Sequence, residues 1–178
     1  MHGKAGNNDR PPMLILVGLI IAVLSAAPVE PAVAQGGDPA IGKLVWINKA
    51  NCKDCHGWGG HGVPDVPQEP NGANLRRTEL TGEQLAEVVR CGRPASSMPY
   101  FLSNAWREGR TDCYGMSRAD VGQDLPLRSP VTLAQREIDA IVAFILAEFV
   151  GKDQPTYEEC IEFWGPTTRC DEYPRAGG

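Results

Sequence analysis

The chain has 178 residues, 42% of them hydrophobic, with 17 basic and 22 acidic side chains, a formal charge of −5 and six cysteines. This length supports one ordinary domain with its own core. The acidic balance argues against nucleic acid, which needs a basic footprint, and fits a partner that carries a basic docking patch.

The first expected element is a targeting segment. Lys4 and Arg10 precede the apolar run Met13 to Ala27, and Ala32-Val33-Ala34 stands before Gln35, the charged, apolar, small-residue order of a secretory signal. The apolar run of 15 residues falls short of the roughly 20 that cross a bilayer as a helix. Residues 1–34 are therefore expected to be a signal peptide cleaved after Ala34, with an uncleaved tether as the alternative. Cleavage removes two basic and two acidic residues, so the charge of the exported chain stays at −5. All six cysteines, at 52, 55, 91, 113, 160 and 170, lie in the exported part, where disulfides persist.

Ala40 to Lys49 carries apolar residues at helical spacing and predicts a short helix. It leads into Asn51-Cys52-Lys53-Asp54-Cys55-His56-Gly57. From Gly57 to Asn74 the chain is rich in Gly and Pro and reads as a loop. Thr81-Gly82-Glu83-Gln84 has capping-box spacing and opens a helix through Leu85, Val88 and Val89 that stops near Cys91-Gly92. The segment from Tyr100 to Pro130 is expected to be irregular. Thr132-Leu133-Ala134-Gln135 repeats the capping pattern, and Ile138, Ile141, Val142, Ile145, Leu146 and Phe149 form one apolar stripe ending at Gly151. Residues 152–178 read as a tail. No alternating strand pattern occurs, so the fold class expected is all-α with long loops.

Two thiols three apart with an adjacent imidazole suit three chemistries. A redox dithiol belongs between a strand and a helix, and no strand precedes this motif. A structural zinc site wants a second close pair of ligands, which the scattered cysteines do not form. Covalent haem fits better: the thiols of Cys52 and Cys55 add to the two vinyl groups on one porphyrin edge, and His56 reaches the iron from the same turn. Only Met98 and Met116 remain after the signal. Met98 follows a short helix in an extended Pro-flanked loop and is the expected second axial ligand, with Met116 behind it. His61 lies too close to His56 in the same loop to reach the other face. Arg76 and Arg77 are candidates for pairing with haem propionates, and Trp58 for packing near the cofactor.

These pieces resemble the class I c-type cytochromes: Gly42 with Trp46, Cys52 to Gly57, the loop Gly72-Ala73-Asn74-Leu75, Leu85 to Gly92 followed by Ser97 to Phe101, and the closing helix Glu137 to Leu146. The resemblance covers roughly residues 37–101 and 131–150. It implies a cytochrome c-like fold of a few helices around one covalently bound haem c. Cys52 and Cys55 would be its anchors, His56 and Met98 its iron ligands, and Gly42 would meet Phe144 where the first and last helices cross. The family has a proline whose carbonyl orients the axial histidine. Ala73 stands in its place, leaving the acceptor unassigned among Pro64, Pro67 and Pro70.

The expected organisation is a cytochrome c domain over 35–150, with a loop insertion at about 103–130 and a C-terminal extension over 151–178. Of the three pairings open to the remaining cysteines, Cys91 with Cys113 and Cys160 with Cys170 are expected. The function implied is a periplasmic electron-transfer protein rather than an enzyme. It would pass single electrons between redox protein partners such as a dehydrogenase, a cytochrome bc-type complex or a terminal oxidase, with no small-molecule substrate and contact with a membrane only indirect or through an uncleaved N-terminal segment. The alternative is a fixed haem subunit of a larger respiratory or dehydrogenase complex.

Overall fold

Asp38 opens the first helix: its carboxylate accepts from the Ala40 N–H at 2.8 Å, and Pro39 occupies a first-turn position where no donor is needed. In this computed structural model, residues 1–3 and 36–177 are described, so nearly all of the expected signal peptide lies outside the described residues. Helix α1 (Pro39–Leu44) runs on as a π-helical turn, Val45–Lys49. Asn51 then turns the chain with φ 51°, a left-handed conformation that asparagine tolerates better than most residues, into the single turn α2 (Lys53–His56). Helix α3 (Gly82–Cys91) has the expected capping box, with Thr81 and Gln84 bonding each other's backbone at 2.9 and 3.3 Å.

The segment expected to be irregular contains a further short helix, α4 (Arg118–Val121), capped by Ser117 and Asp120 and followed by the 3-10 turn Gly122–Asp124. Helix α5 (Gln135–Glu148) begins later than the sequence pattern predicts. Thr132 is not its cap. The Leu133 N–H is bonded to the Phe101 carbonyl at 3.0 Å and its side chain is fully buried, so the backbone there belongs to a tertiary contact. Ala134 becomes the cap residue, and the Glu137 carboxylate accepts from its N–H at 2.9 Å. The expected tail is also structured, as α6 (Tyr157–Trp164) and the 3-10 turn Thr168–Glu172. Among the described residues there is no strand, only the isolated bridges Tyr100 to Arg128 and Cys113 to Met116. No described helix is long and apolar enough to cross a membrane.

Helices α1 and α5 cross at Gly42, which is buried. A Cβ there would collide with the Ala140 carbonyl and lie 2.7 Å from the Phe144 Cβ, so the crossing requires glycine and the expected Gly42 to Phe144 contact is present. One turn later Trp46 packs its ring 5.9 Å from Phe144 and 5.1 Å from Phe149. Helix α5 is buried on more than the single predicted stripe: Ala140, Ala143 and Phe144 are covered as well as Ile138, Ile141, Val142 and Ile145. Burial of each large aliphatic or aromatic chain contributes about 1.5–3 kcal/mol, which makes α5 the centre of the main core.

Two smaller cores surround disulfides. Cys91–Cys113 joins Ala105, Trp106 and Val121, and Cys160–Cys170 joins Trp58. Both pairings are those expected. The residues from Gly36 to Gly177 belong to one compact unit.

Candidate cofactor site

A cavity of about 950 Å³ opens beside α2, at the upper end of the roughly 300–1,000 Å³ usual for ligand sites. Cys52, Cys55 and His56 line it, and so does Met98 from the loop after α3, so the four sequence-predicted residues share one cavity. Leu75, Leu85, Val89, Phe101, Ile141 and Ile145 supply an apolar lining. Among the described residues, Arg93 is the one Lys, Arg, Asp or Glu of the lining.

His56 is held by its backbone-side nitrogen. Its Nδ1 lies 2.9 Å from the Ala73 carbonyl, and because a carbonyl can only accept, Nδ1 carries the proton and Nε2 keeps a free lone pair. Burial lowers the His56 pKa, outweighing the opposing effect of the Ala73 bond, and keeps the ring neutral as a metal ligand must be. Gly72 makes this approach possible. A Cβ at position 72 would stand 2.6 Å from His56 Nδ1, 2.8 Å from its Cγ and 3.0 Å from the Cys55 carbonyl. The acceptor left open among three prolines is thus Ala73 itself. Side-chain identity could not reveal a main-chain acceptor, although the adjacent glycine was a local hint of close approach.

Cys52 and Cys55 are both free thiols. Burial pushes the Cys52 thiol up to about 12, and burial followed by the Glu69 carboxylate, 3.8 Å from the sulfur, raises Cys55. Both stay protonated at neutral pH, the reverse of the lowered thiol pKa that a reactive dithiol needs. Among the described residues no group of three or more His, Cys, Asp or Glu converges as a metal-holding cluster, so a closed four-ligand zinc set is not assembled.

Met98 is partly buried against the main core. Its loop is closed locally: the Arg93 N–H donates to the Met98 carbonyl at 3.1 Å, Ser96 Oγ donates to the Arg93 carbonyl at 2.8 Å, and the Met98 N–H donates to Ser96 Oγ at 3.2 Å. At the loop's start, the carbonyl of disulfide-bonded Cys91 accepts from Trp106 Nε1 at 2.8 Å, and the Gly92 carbonyl accepts from Tyr114 OH at 2.5 Å. Met116 packs beside the Cys91–Cys113 disulfide and does not line the cavity.

The candidates Arg76 and Trp58 are engaged elsewhere, as is His61. Arg76 is only 4% exposed, and its guanidinium forks onto Glu159 at 3.0 and 2.9 Å while also donating to the Gly59 and Asp153 carbonyls. It joins the C-terminal segment to the loop after α2 and is not available to a propionate in the cavity. Trp58 faces the C-terminal segment too, donating from Nε1 to Tyr173 OH at 2.8 Å and packing on Phe163. His61 lies against Trp58 and Tyr173, outside the cavity lining.

Comparison of the chain with models of protein families, with curated proteins and with solved structures finds no match.

Proposed function

We propose that this is a periplasmic monohaem c-type cytochrome that carries single electrons between redox protein partners. The observation that carries the proposal is the single apolar cavity on which two free thiols, a neutral imidazole with Nε2 unencumbered, and a thioether meet. This donor set would suit a porphyrin, which brings nitrogen ligands to its own iron and would need few further donors from the protein. Trp46, on the cavity wall, also has its indole nitrogen buried with no hydrogen-bond partner in the protein. The crossing of α1 and α5 at Gly42 is a further point of agreement with the cytochrome c-like arrangement.

When bound, haem c supplies a one-electron iron couple that neither the apolar wall nor any side chain here could provide. The chain's part is to hold and tune. Cys52 and Cys55 anchor the cofactor through thioether bonds. His56 presents Nε2, oriented through Ala73, and its polarised Nδ1–H bond increases its basicity toward iron. Met98 would present sulfur, a ligand that raises the reduction potential, and together with His56 would be the protein's donor to the iron. The apolar walls exclude water, which lowers the reorganisation accompanying electron transfer.

The test is expression of the full chain in a bacterium with an active cytochrome c maturation system. Haem should remain with the polypeptide on a denaturing gel and be lost in Cys52→Ser/Cys55→Ser. Folded, disulfide-bonded protein without covalent haem, from cells that mature a control cytochrome, would sink the proposal. Rapid and complete carbon monoxide binding by the ferrous protein at neutral pH would remove the carrier reading, whereas Met98→Ala should create that binding.

A further inference from the structure

Among the described residues, every hydrogen bond that leaves residues 92–100 ends on the insertion expected at about 103–130. The Gly92 carbonyl accepts from Tyr114 OH at 2.5 Å, and the Ala95 N–H donates to the Asp124 carbonyl at 2.9 Å. The Tyr100 N–H donates to the Leu127 carbonyl at 3.0 Å, and the Tyr100 carbonyl accepts from the Ser129 N–H at 2.9 Å. The bonds among Arg93, Ser96 and Met98 only close the loop on itself. Its position against the rest of the chain is set from the insertion.

The two ends of the loop meet at Gly92, which has φ 65°. A Cβ there would stand 2.7 Å from the Tyr100 nitrogen and 2.8 Å from both the Met98 carbonyl oxygen and Cβ of the buried Pro126. The Cys91–Cys113 bridge joins the residues just before Gly92 and Tyr114, and so brings the phenol to that carbonyl. Tyr114 is itself held: its N–H donates to Glu87 Oε1 on α3 at 2.7 Å, and its ring lies 6.5 Å from that of Trp106. Burial, followed by the Glu87 charge, pushes its phenol up to about 12, so it remains a donor at neutral pH. Ala95 and Tyr114 both have φ 56°, a conformation that non-glycine residues keep only where the surroundings over-determine it.

We propose that Tyr114 is a positioning residue for Met98, fixing the start of its loop through the Gly92 carbonyl so that the insertion holds the thioether at the cavity. Six positions separate Gly92 from Met98, and Pro94 and Pro99 stiffen the backbone there, so a shift at Gly92 is carried to the sulfur. The proposal rests on the haem reading, which makes Met98 an iron ligand. The fastening of the loop does not depend on it.

Tyr114→Phe keeps the ring and removes the donor. In the full-length holoprotein the loop should open about fivefold more often, the factor that corresponds to one lost hydrogen bond of ordinary strength. Two readouts follow the opening: hydrogen–deuterium exchange over residues 92–102, and the rate at which the ferrous protein binds carbon monoxide, which needs Met98 to withdraw. Both should rise about fivefold, and the weak near-infrared band of Met-ligated ferric haem should diminish. Tyr173→Phe is the control, because it removes the acceptor of Trp58 Nε1 in the C-terminal segment and should leave both rates unchanged. If Tyr114→Phe raises neither rate beyond that control, or speeds exchange while carbon monoxide binding stays as slow as in the parent chain, the positioning role is overturned. Absence of covalent haem from the parent chain, seen on the gel before any variant is compared, refutes the function proposed above instead; exchange over residues 92–102 then still decides whether Tyr114 holds the loop.

Discussion

Gly72→Ala should damage the protein through a single methyl group. The new Cβ would sit 2.6 Å from His56 Nδ1 and 3.0 Å from the Cys55 carbonyl, far inside van der Waals contact, with backbone on one side and an anchored ring on the other. Overpacking of this kind costs about 1–3 kcal/mol. Displacing the ring also breaks its 2.9 Å bond to the Ala73 carbonyl, and such a bond is worth about 1 kcal/mol. The expected loss is about 2–4 kcal/mol, a large part of the stability of an ordinary domain. Urea unfolding measures it: with m near 2 kcal/mol/M, the midpoint should fall by about 1–2 M at unchanged m. Gly59→Ala is the comparison, because its Cβ would meet the Pro155 ring at 3.1 Å and His61 Nδ1 at an ordinary contact of 3.6 Å, with no backbone in the way, and should cost far less. A loss below about 0.5 kcal/mol for Gly72→Ala, the range of ordinary surface changes, would refute the account of how His56 is held.

Glu159→Ala should cost about 3 kcal/mol in the same assay, because it leaves the Arg76 guanidinium buried without its carboxylate; an unchanged midpoint would mean that Arg76 does not join the C-terminal segment to the core. Loop-closure entropy makes Cys91–Cys113, with a sequence separation of 22, worth about 3.4 kcal/mol, and Cys160–Cys170, with a separation of 10, about 2.7 kcal/mol. The paired Cys→Ser variants should reproduce that order in unfolding free energy, and a reversed order would contradict the calculation. His61 has its pKa lowered by burial and then by the Arg76 charge, so the unfolded chain binds its proton more readily than the folded one. Stability from this group is complete above the unfolded value near 6.5 and is lost as pH falls below it. The slope of stability against pH on the acid side should therefore decrease in His61→Gln, and an unaltered slope would show that the group does not contribute.

The features legible in sequence are those whose causes lie within a few residues. The Thr81 and Gln84 box forms because a hydroxyl and an amide three positions apart satisfy each other's backbone wherever the helix is placed. The candidate site was legible in outline for a related reason: Cys52, Cys55 and His56 share one short turn, and Met98 was one of two methionines left after the expected signal. The cap of α5 was misplaced because Thr132 satisfies the local pattern, whereas the start is decided by Leu133 bonding to Phe101, 32 residues earlier. Arg76 was misread for the same cause. Its adjacency to Arg77 and the cofactor motif offered it to a propionate, and only Glu159, 83 residues later in the chain, accounts for its burial.

What the sequence by itself determined is a helical chain with a Cys-x-x-Cys-His turn, a Met-bearing loop and two plausible disulfides, because spacing and caps are local chemistry; the crossing at Gly42 was expected only through the family resemblance. Only the tertiary structure decided that Cys52, Cys55, His56 and Met98 line one apolar cavity, that Ala73 orients His56, and that Arg76 and Trp58 serve the C-terminal segment. Those outcomes depend on which distant backbone carbonyl or carboxylate arrives beside a given side chain. That is settled by burying the apolar faces of α1, α3 and α5 together, and no stretch of a few residues encodes it.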